Sequence, residues 1–181
     1  LLRQQLPRPA RIHGIVTDGG AEPNIIPERA AALFWVRALE DAVLDHAYAR
    51  LVECAQGAAA ATGARLELVL GTGESPPMRP NLPLAEVYRQ QLALLGLPES
   101  DHAPDASIGS SDITHVSRVV PTIHPNFPIG ANLQLHTREF ADATTRASGA
   151  EGLLEGARAL ALTVLELARS AAARVAVATA H

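Results

Sequence analysis

The sequence predicts a mixed α/β protein in two parts, an α+β unit over residues 1–72 and a second α/β unit over residues 73–181. Apolar residues alternate in stretches of the first part, as in strands, and recur every three or four residues in both parts, as in helices. Glycine and proline cluster at residues 71–77, where the pattern changes. With 181 residues and 48% apolar content, the chain can bury a core in one large or two small domains.

The first part is predicted to form strands and a helix. Residues 1–6 resemble the last turns of a helix, and Asp18-Gly19-Gly20 is typical of a turn between strands. Gly63 follows the longest helical pattern, as a C-cap would. In chain order we predict strands at residues 11–17 and 30–37, a helix at 39–62 and a strand at 65–70.

The second part is predicted to be richer in helix. Asn81 with Pro83 in the first turn, and Gly96 at the end, bracket a helix over residues 84–95. A loop-rich stretch with a Gly/Ser cluster follows, up to residue 110. We then predict a short buried strand at residues 118–123 and one long helix over about residues 150–178.

The charge and cysteine content of the chain restrict what it is expected to bind and where it is expected to occur. A net charge of −4 and a pI near 6.0, with no basic block, argue against nucleic acid or an acidic membrane as a ligand. We predict neither a signal peptide nor a membrane span. Cys54 is the single cysteine and is interpreted as a small buried hydrophobic residue. The absence of an internal cysteine pair favours a cytoplasmic location.

Four segments carry candidate functional residues. The run Leu135-His136-Thr137-Arg138-Glu139-Phe140 places a histidine where a loop meets a helix, with Thr137 able to cap that helix. A lone histidine is more often an ordinary surface or core residue than a ligand, because zinc sites need three or four donors. The other segments are Asp18–Pro27 with Arg37 thirteen residues after Asn24, Gly109-Ser110-Ser111-Asp112, and Val119–Phe127 with His124.

This order of motifs resembles the dinuclear-zinc amidohydrolase and carboxypeptidase family, which includes aminoacylases and p-aminobenzoyl-glutamate hydrolase, and most closely its aminoacylase-1-like branch. The resemblance covers nearly the whole chain. It implies that residues 1–72 form a lid and dimerisation domain, incomplete at its N-terminus. It also implies that residues 73–181 form the C-terminal part of a zinc-peptidase-like α/β catalytic domain.

The resemblance implies a role for each candidate residue. His136 would be the last metal ligand of a pair of divalent ions, zinc or else manganese or cobalt. Arg37 and Asn24 would hold the substrate, although a strand-end arginine and a turn asparagine are the alternatives. Ser111 and Asp112 would line the substrate pocket, unless they are a plain loop or N-cap. His124 would border the cleft. A homodimer would form through the lid.

The same resemblance shows what this chain lacks. The family's other ligands and its general base come from a His-x-Asp motif and a Glu-Glu pair, and neither motif occurs in these 181 residues. We therefore expect no catalytic residue within the chain and a missing N-terminal catalytic half. Two functions stay open: part of a metal-dependent amidohydrolase that cleaves N-acyl amino acids or dipeptide-like amides with a free carboxylate, or an inactive fragment that serves as a dimerisation or binding module.

Overall fold

The computed structural model describes residues 2–71, 75–99 and 111–181, which form two compact units. The first unit contains the described residues up to Met78 and the segment that ends at His115. The second contains the described residues from Arg79 to Glu99 and from Val116 to His181. Helices and a small antiparallel sheet make the chain mixed α/β, consistent with the predicted α+β character. The predicted boundary at residues 72 and 73 stays a prediction, and the Gly/Ser cluster before Ser111 lies outside the described residues.

The first unit contains two paired strands and one long helix. Its strands and helix occur where the alternating and helical patterns predicted them, to within two residues. The segment predicted as the end of a helix is a single 3-10 turn instead. In chain order the elements are a 3-10 turn at Leu2–Gln4, strand β1 at Arg11–Asp18, strand β2 at Ala31–Arg37 and helix α1 at Asp41–Thr62.

Strands β1 and β2 form an antiparallel pair with one irregularity between Val16 and Asp18. Gly14 faces Phe34 across the pair, and a Cβ on Gly14 would lie 2.4 Å from the Phe34 ring. Only a glycine therefore lets that ring lie against β1. Ile12 is buried, while Val16 and Phe34 on the same face and His13 on the other face are exposed.

Helix α1 ends as the sequence predicts. Gly63 has a φ of +71°, in the left-handed region that glycine adopts without a steric penalty, and its N–H donates to the carbonyl of Ala59. Ala47 is fully buried on this helix. Cys54 is exposed, so its interpretation as a buried residue is wrong.

The strand predicted at residues 65–70 does not form within the described part of the chain, where the sheet has two strands. Leu68, Val69 and Leu70 are exposed. The alternation of apolar residues is present, but a strand also requires a neighbour that supplies backbone hydrogen bonds. The described residues provide no such neighbour for this segment.

The second unit is a cluster of helices. Helix α3 lies where the chain passes from the first unit into the second, and the other helices lie wholly in the second. Helix α2 packs against α5 and α6, and α4 packs against α5. The helices are α2 at Leu82–Leu94, α3 at Ile113–Val116, α4 at Arg138–Thr144, α5 at Ala147–Arg169 and α6 at Ala171–Thr179.

Asn81 caps α2, as the sequence predicts, and also connects it to two other segments. Its side-chain oxygen accepts a hydrogen bond from Leu84 N at 2.9 Å. Its backbone N–H donates to Thr122 O, and its side-chain amide donates to Val177 O, each at 2.9 Å. Gly96, with a φ of +68°, follows the helix as expected.

Two further predictions for this unit are wrong. Residues 118–123 form no strand, and one isolated parallel bridge joins Thr122 to Pro80. The predicted long helix is two helices separated at Ser170, whose extended backbone ends α5 and whose hydroxyl accepts a hydrogen bond from Ala173 N to begin α6. Across the described ranges, no helix combines the length and apolar character needed to cross a membrane.

Candidate functional site

His136 stands directly before α4, at the junction that the sequence indicates. Thr137 is the N-cap of this helix, and its hydroxyl accepts a hydrogen bond from Phe140 N at 3.2 Å, which confirms the predicted cap. The same hydroxyl donates to Gln134 O at 2.8 Å. These two bonds fix the turn around His136, whose own side chain is exposed.

The backbone of His136 is left-handed, with a φ of +66°. Of the non-glycine residues that the structure describes, one other shares this feature, Asn132 with a φ of +57°. Such a conformation costs a non-glycine residue roughly 1–2 kcal/mol and therefore persists where the surrounding structure enforces it. The junction thus holds the imidazole in a direction that a helical or extended backbone would not give.

The described residues do not by themselves fit a metal pair. Among them, no group of three or more His, Cys, Asp and Glu side chains is placed to hold a metal ion. A zinc site needs at least three protein donors, and His136 supplies one. We therefore derive no catalytic step through a metal from this chain.

Arg37 ends β2 with its guanidinium over an aromatic ring. Its Cζ atom lies 5.1 Å from the centroid of the Trp35 ring, within the range of a cation–π contact. The arginine is half-buried, while Trp35 is 58% exposed. In the register of the sheet Arg11 lies opposite Arg37, and His13 lies opposite Trp35. Since paired residues of a sheet share a face, one face of this sheet combines two arginines, a histidine and a tryptophan.

Asn24 lies in an exposed turn between the two strands. The turn is closed by a hydrogen bond of 3.2 Å from Ile25 N to Glu22 O. Ile25 and Ile26, which follow Asn24, are 62% and 94% exposed. The turn therefore exposes the polar side chain of Asn24 next to the apolar side chains of Ile25 and Ile26.

Ser111 and Asp112 precede the short helix α3 and bond to it locally. The carbonyl of Ser111 accepts hydrogen bonds from the backbone N–H and the hydroxyl of Thr114, and Asp112 O accepts one from His115 N at 3.0 Å. Asp112 is exposed. These bonds belong to the local turn, and the exposed Asp112 carboxylate also accepts a hydrogen bond of 3.4 Å from the Ser111 hydroxyl.

The candidate residues are divided between the two units. Arg37, Asn24, Ser111 and Asp112 belong to the first, and His136 belongs to the second. His124 also lies in the second unit, in a segment without helix or strand, and its side chain is exposed.

The second unit also buries a tyrosine whose unpaired hydroxyl was not predicted. Tyr88 of α2 is 7% exposed, and its ring meets that of Phe127 edge-on at a centroid distance of 6.2 Å. Its hydroxyl has no hydrogen-bond partner among the described residues. Burial raises the pKa of Tyr88 above its ordinary value of 10.0. A pattern of apolar positions cannot reveal an unpaired hydroxyl.

Comparisons with known proteins add the family context. No family model matches the chain. The chain is 33% identical to the human Xaa-Arg dipeptidase and 32% identical to the mouse one over 169 residues, which is 92% of this chain and 39% of each relative. It is also 32% identical over 99 residues to one of the subunits of p-aminobenzoyl-glutamate hydrolase from Escherichia coli K12, which is 54% of this chain and 20% of that protein.

The chain thus spans about two fifths of the length of the dipeptidases that it matches. All three relatives are named for the hydrolysis of an amide bond. Together they support a relationship between this chain and a family of amidohydrolases and peptidases.

Proposed function

We propose that this chain is part of a metal-dependent amidohydrolase that cleaves the amide bond of a dipeptide-like or N-acyl amino acid substrate. The observation that carries the proposal is the similarity to the Xaa-Arg dipeptidases, which extends over 92% of the chain. Similarity of that extent includes both the Asn24 to Arg37 region and the His136 junction, because neither lies close enough to an end of the chain to be left out. It therefore concerns the whole order of elements and not a single motif.

The relatives' names point to substrates that carry a free carboxylate. A dipeptide ends in an α-carboxylate, and p-aminobenzoyl-glutamate carries the carboxylates of its glutamate. A guanidinium can bind a carboxylate through two parallel hydrogen bonds. We assign this role to Arg37, whose side chain rests on the Trp35 ring, and we assign an accessory role in the same binding step to Asn24.

His136 would contribute one imidazole to a site that holds two divalent ions, zinc or else manganese or cobalt. When bound, such ions lower the pKa of a water molecule and polarise the amide carbonyl. The remaining donors and the general base would come from polypeptide outside these 181 residues. Ser111, Asp112 and His124 would also contact the substrate.

A second function is favoured by the ligand count in the described residues, where no group of three potential ligands occurs. In this alternative the chain keeps the carboxylate-binding surface around Arg37 but does not hydrolyse anything, and it acts as a binding or dimerisation module. The two functions differ in what the protein does with a bound substrate, so a direct assay separates them.

The test compares two proteins. One is the 181-residue chain, and the other is this chain together with whatever in-frame sequence precedes Leu1. Each is assayed with dipeptides that end in arginine, with N-acetyl amino acids and with p-aminobenzoyl-glutamate, and bound zinc, manganese and cobalt are measured by mass spectrometry.

We expect the longer protein to bind two ions and to hydrolyse at least one substrate, and the 181-residue chain to do neither. A longer protein that contains His-x-Asp and Glu-Glu motifs, binds two ions and still hydrolyses none of these amides would contradict the proposal. Two ions and steady turnover in the 181-residue chain would contradict the assignment of the remaining ligands to other polypeptide.

A further inference from the structure

One face of α5 carries three glycines, Gly149, Gly152 and Gly156, at helical spacings of three and four residues. All three are buried. Glycine in a helix interior destabilises it by roughly 0.5–1 kcal/mol relative to alanine, so three on one face indicate that something approaches the helix closely there. The structure shows what approaches.

Gly152 and Gly156 contact the loop that leads to His136. A Cβ on Gly152 would lie 2.5 Å from the carbonyl oxygen of Pro128, and a Cβ on Gly156 would lie 2.9 Å from the ring of Phe127. Both distances are shorter than the van der Waals contact distance of a Cβ atom. The loop therefore rests directly on the helix backbone, and the same Phe127 ring meets Tyr88 of α2 edge-on on another side.

Gly149 contacts the helix that follows His136. A Cβ on Gly149 would lie 2.5 Å from the carbonyl oxygen of Ala143 and 2.7 Å from that of Thr144, at the C-terminal end of α4. The three glycines thus hold the chain on α5 at two places. One place lies before His136, at residues 127–128, and the other lies after it, at residues 143–144.

We infer that Gly149, Gly152 and Gly156 are positioning residues for His136. Their contacts place both ends of the segment 129–142 on one helix, and that segment contains the left-handed backbone of His136. A conformation that is costly in isolation persists when its flanks are fixed, because the segment then has few other ways to span them. The consequence for ligand binding rests on the proposed function, whereas the effect on the position of His136 does not.

The contacts predict different effects for the glycines. At Gly156 the obstacle is a side chain that can turn or be shortened, so an added methyl group is partly accommodated. At Gly152 and Gly149 the obstacle is a backbone carbonyl, which moves only if the whole segment moves. Gly152→Ala and Gly149→Ala should therefore disturb His136 more than Gly156→Ala does.

The experiment measures the His136 segment itself in the 181-residue chain. The ring C–H signal of His136 is assigned by its loss in His136→Gln, and amide hydrogen exchange is followed at Phe140 and Ala141, whose N–H groups donate to the hydroxyl and the carbonyl of Thr137. In Gly152→Ala we expect the His136 signal to shift. Exchange at these two amides should rise by roughly tenfold, the factor that corresponds to a typical overpacking penalty. In Gly156→Ala both changes should be smaller.

Two control variants separate positioning from a general loss of stability. Gly57→Ala adds a methyl group to a helical glycine with nothing within 4 Å, and it should leave both readouts unchanged. Thr163→Ala removes a buried hydroxyl that bonds to Ala159 O, on the same face of α5 and two turns beyond Gly156. It should lower stability without moving the His136 signal.

A rescue variant covers the case in which a glycine variant fails to fold. Gly156→Ala combined with Phe127→Leu removes the ring that the new methyl group would meet, and it should return the His136 signal toward its original position. The inference is overturned if Gly152→Ala folds with an unchanged His136 signal and unchanged exchange at Phe140 and Ala141, or if Thr163→Ala shifts them equally. Neither readout depends on hydrolysis. The position of His136 is therefore tested whether or not the proposed function is correct.

Discussion

The side-chain amide of Asn81 donates a hydrogen bond of 2.9 Å to the carbonyl oxygen of Val177, 96 residues further along the chain. Asn81 is 3% exposed and also caps α2 through its side-chain oxygen. A single side chain thus joins the start of α2 to α6. The oxygen and the nitrogen of its side-chain amide both form hydrogen bonds, and little water reaches them. Loss of this side chain therefore leaves Leu84 N and Val177 O without these partners.

We predict that Asn81→Ala lowers the free energy of unfolding by about 2–4 kcal/mol, the sum of a lost cap and an unpaired buried carbonyl. Asn81→Ser keeps a cap oxygen but is too short to reach Val177, so its loss should be intermediate. Urea denaturation measures both. Equal losses in the two variants would show that the cap contributes nothing, and an Asn81→Ser variant as stable as the original would show that the bond to Val177 contributes nothing.

The left-handed backbone of His136 leads to a second prediction, in which two variants differ in stability but lose activity alike. His136→Gly should be about 1 kcal/mol more stable than His136→Ala, because glycine adopts a positive φ without a steric cost. In the complete enzyme both variants should lose activity, since each lacks the imidazole. Asn132, with a φ of +57°, is the matched control, and its glycine variant should stabilise without affecting hydrolysis.

Arg37 is predicted to act on the carboxylate of the substrate. In the complete enzyme Arg37→Ala should lower kcat/KM for carboxylate-bearing substrates by the equivalent of roughly 2–4 kcal/mol, and much less for their amides or esters. Trp35→Ala removes the ring beneath the guanidinium and should have a weaker effect in the same direction. Equal losses toward carboxylates and amides would indicate that Arg37 has a structural role.

Tyr88 gives a prediction about alkaline pH. Burial raises the pKa of its phenol, so the folded chain keeps this proton after the unfolded chain has begun to release it near pH 10. The free energy of unfolding should therefore fall as pH rises through and above 10, and Tyr88→Phe should remove that part of the decline. At neutral pH this variant should match or exceed the stability of the original by up to about 1 kcal/mol, because an unpaired hydroxyl leaves the core.

The control for this prediction is Tyr48→Phe, which removes a phenol from a residue that is 41% exposed. It should change the neutral-pH stability by less than about 0.5 kcal/mol. A Tyr88→Phe variant that is less stable by more than about 1 kcal/mol at neutral pH would mean that the hydroxyl has a partner after all.

The two-stranded sheet leads to a prediction of self-association. Among the described residues both strands have an unpaired edge, and Ile15, Leu33 and Trp35 are each more than half exposed on one face. Strand edges and apolar faces of this kind are commonly covered by another chain. We predict a homodimer through the first unit, so light scattering at micromolar concentration should give twice the 19.0 kDa mass. An Ile15→Lys variant should shift the protein toward the monomer, and a monomeric original protein would contradict the prediction.

The helix ends that could be predicted from sequence are those set by a residue at or next to the end itself. Gly63 ends α1, Asn81 begins α2 and Thr137 begins α4, because each acts on a backbone within four residues of itself. The helix break was missed although its signal was local too. Ser170 is an N-cap residue type within an alanine-rich run, and the regular apolar spacing on both sides concealed it.

The predictions that failed depended on distant partners. Residues 65–70 alternate as a strand would, yet whether they pair is decided by a neighbouring strand that the alternation does not specify. The left-handed φ of His136 and the contacts of Gly149, Gly152 and Gly156 depend on how a loop meets a helix. The glycine spacing was visible in the sequence, but spacing alone does not identify what lies against it.

The two halves of helix α5 differ in how readily their sequences form a helix. Its first ten residues contain all three glycines, whereas its last thirteen are mostly alanine, leucine and other strong helix formers. Nucleation is therefore favoured in the C-terminal half, and the N-terminal half becomes helical when the loop and α4 dock on it. The step that completes α5 is then the same step that orders the His136 turn, so the two should melt together and before the rest of the helix.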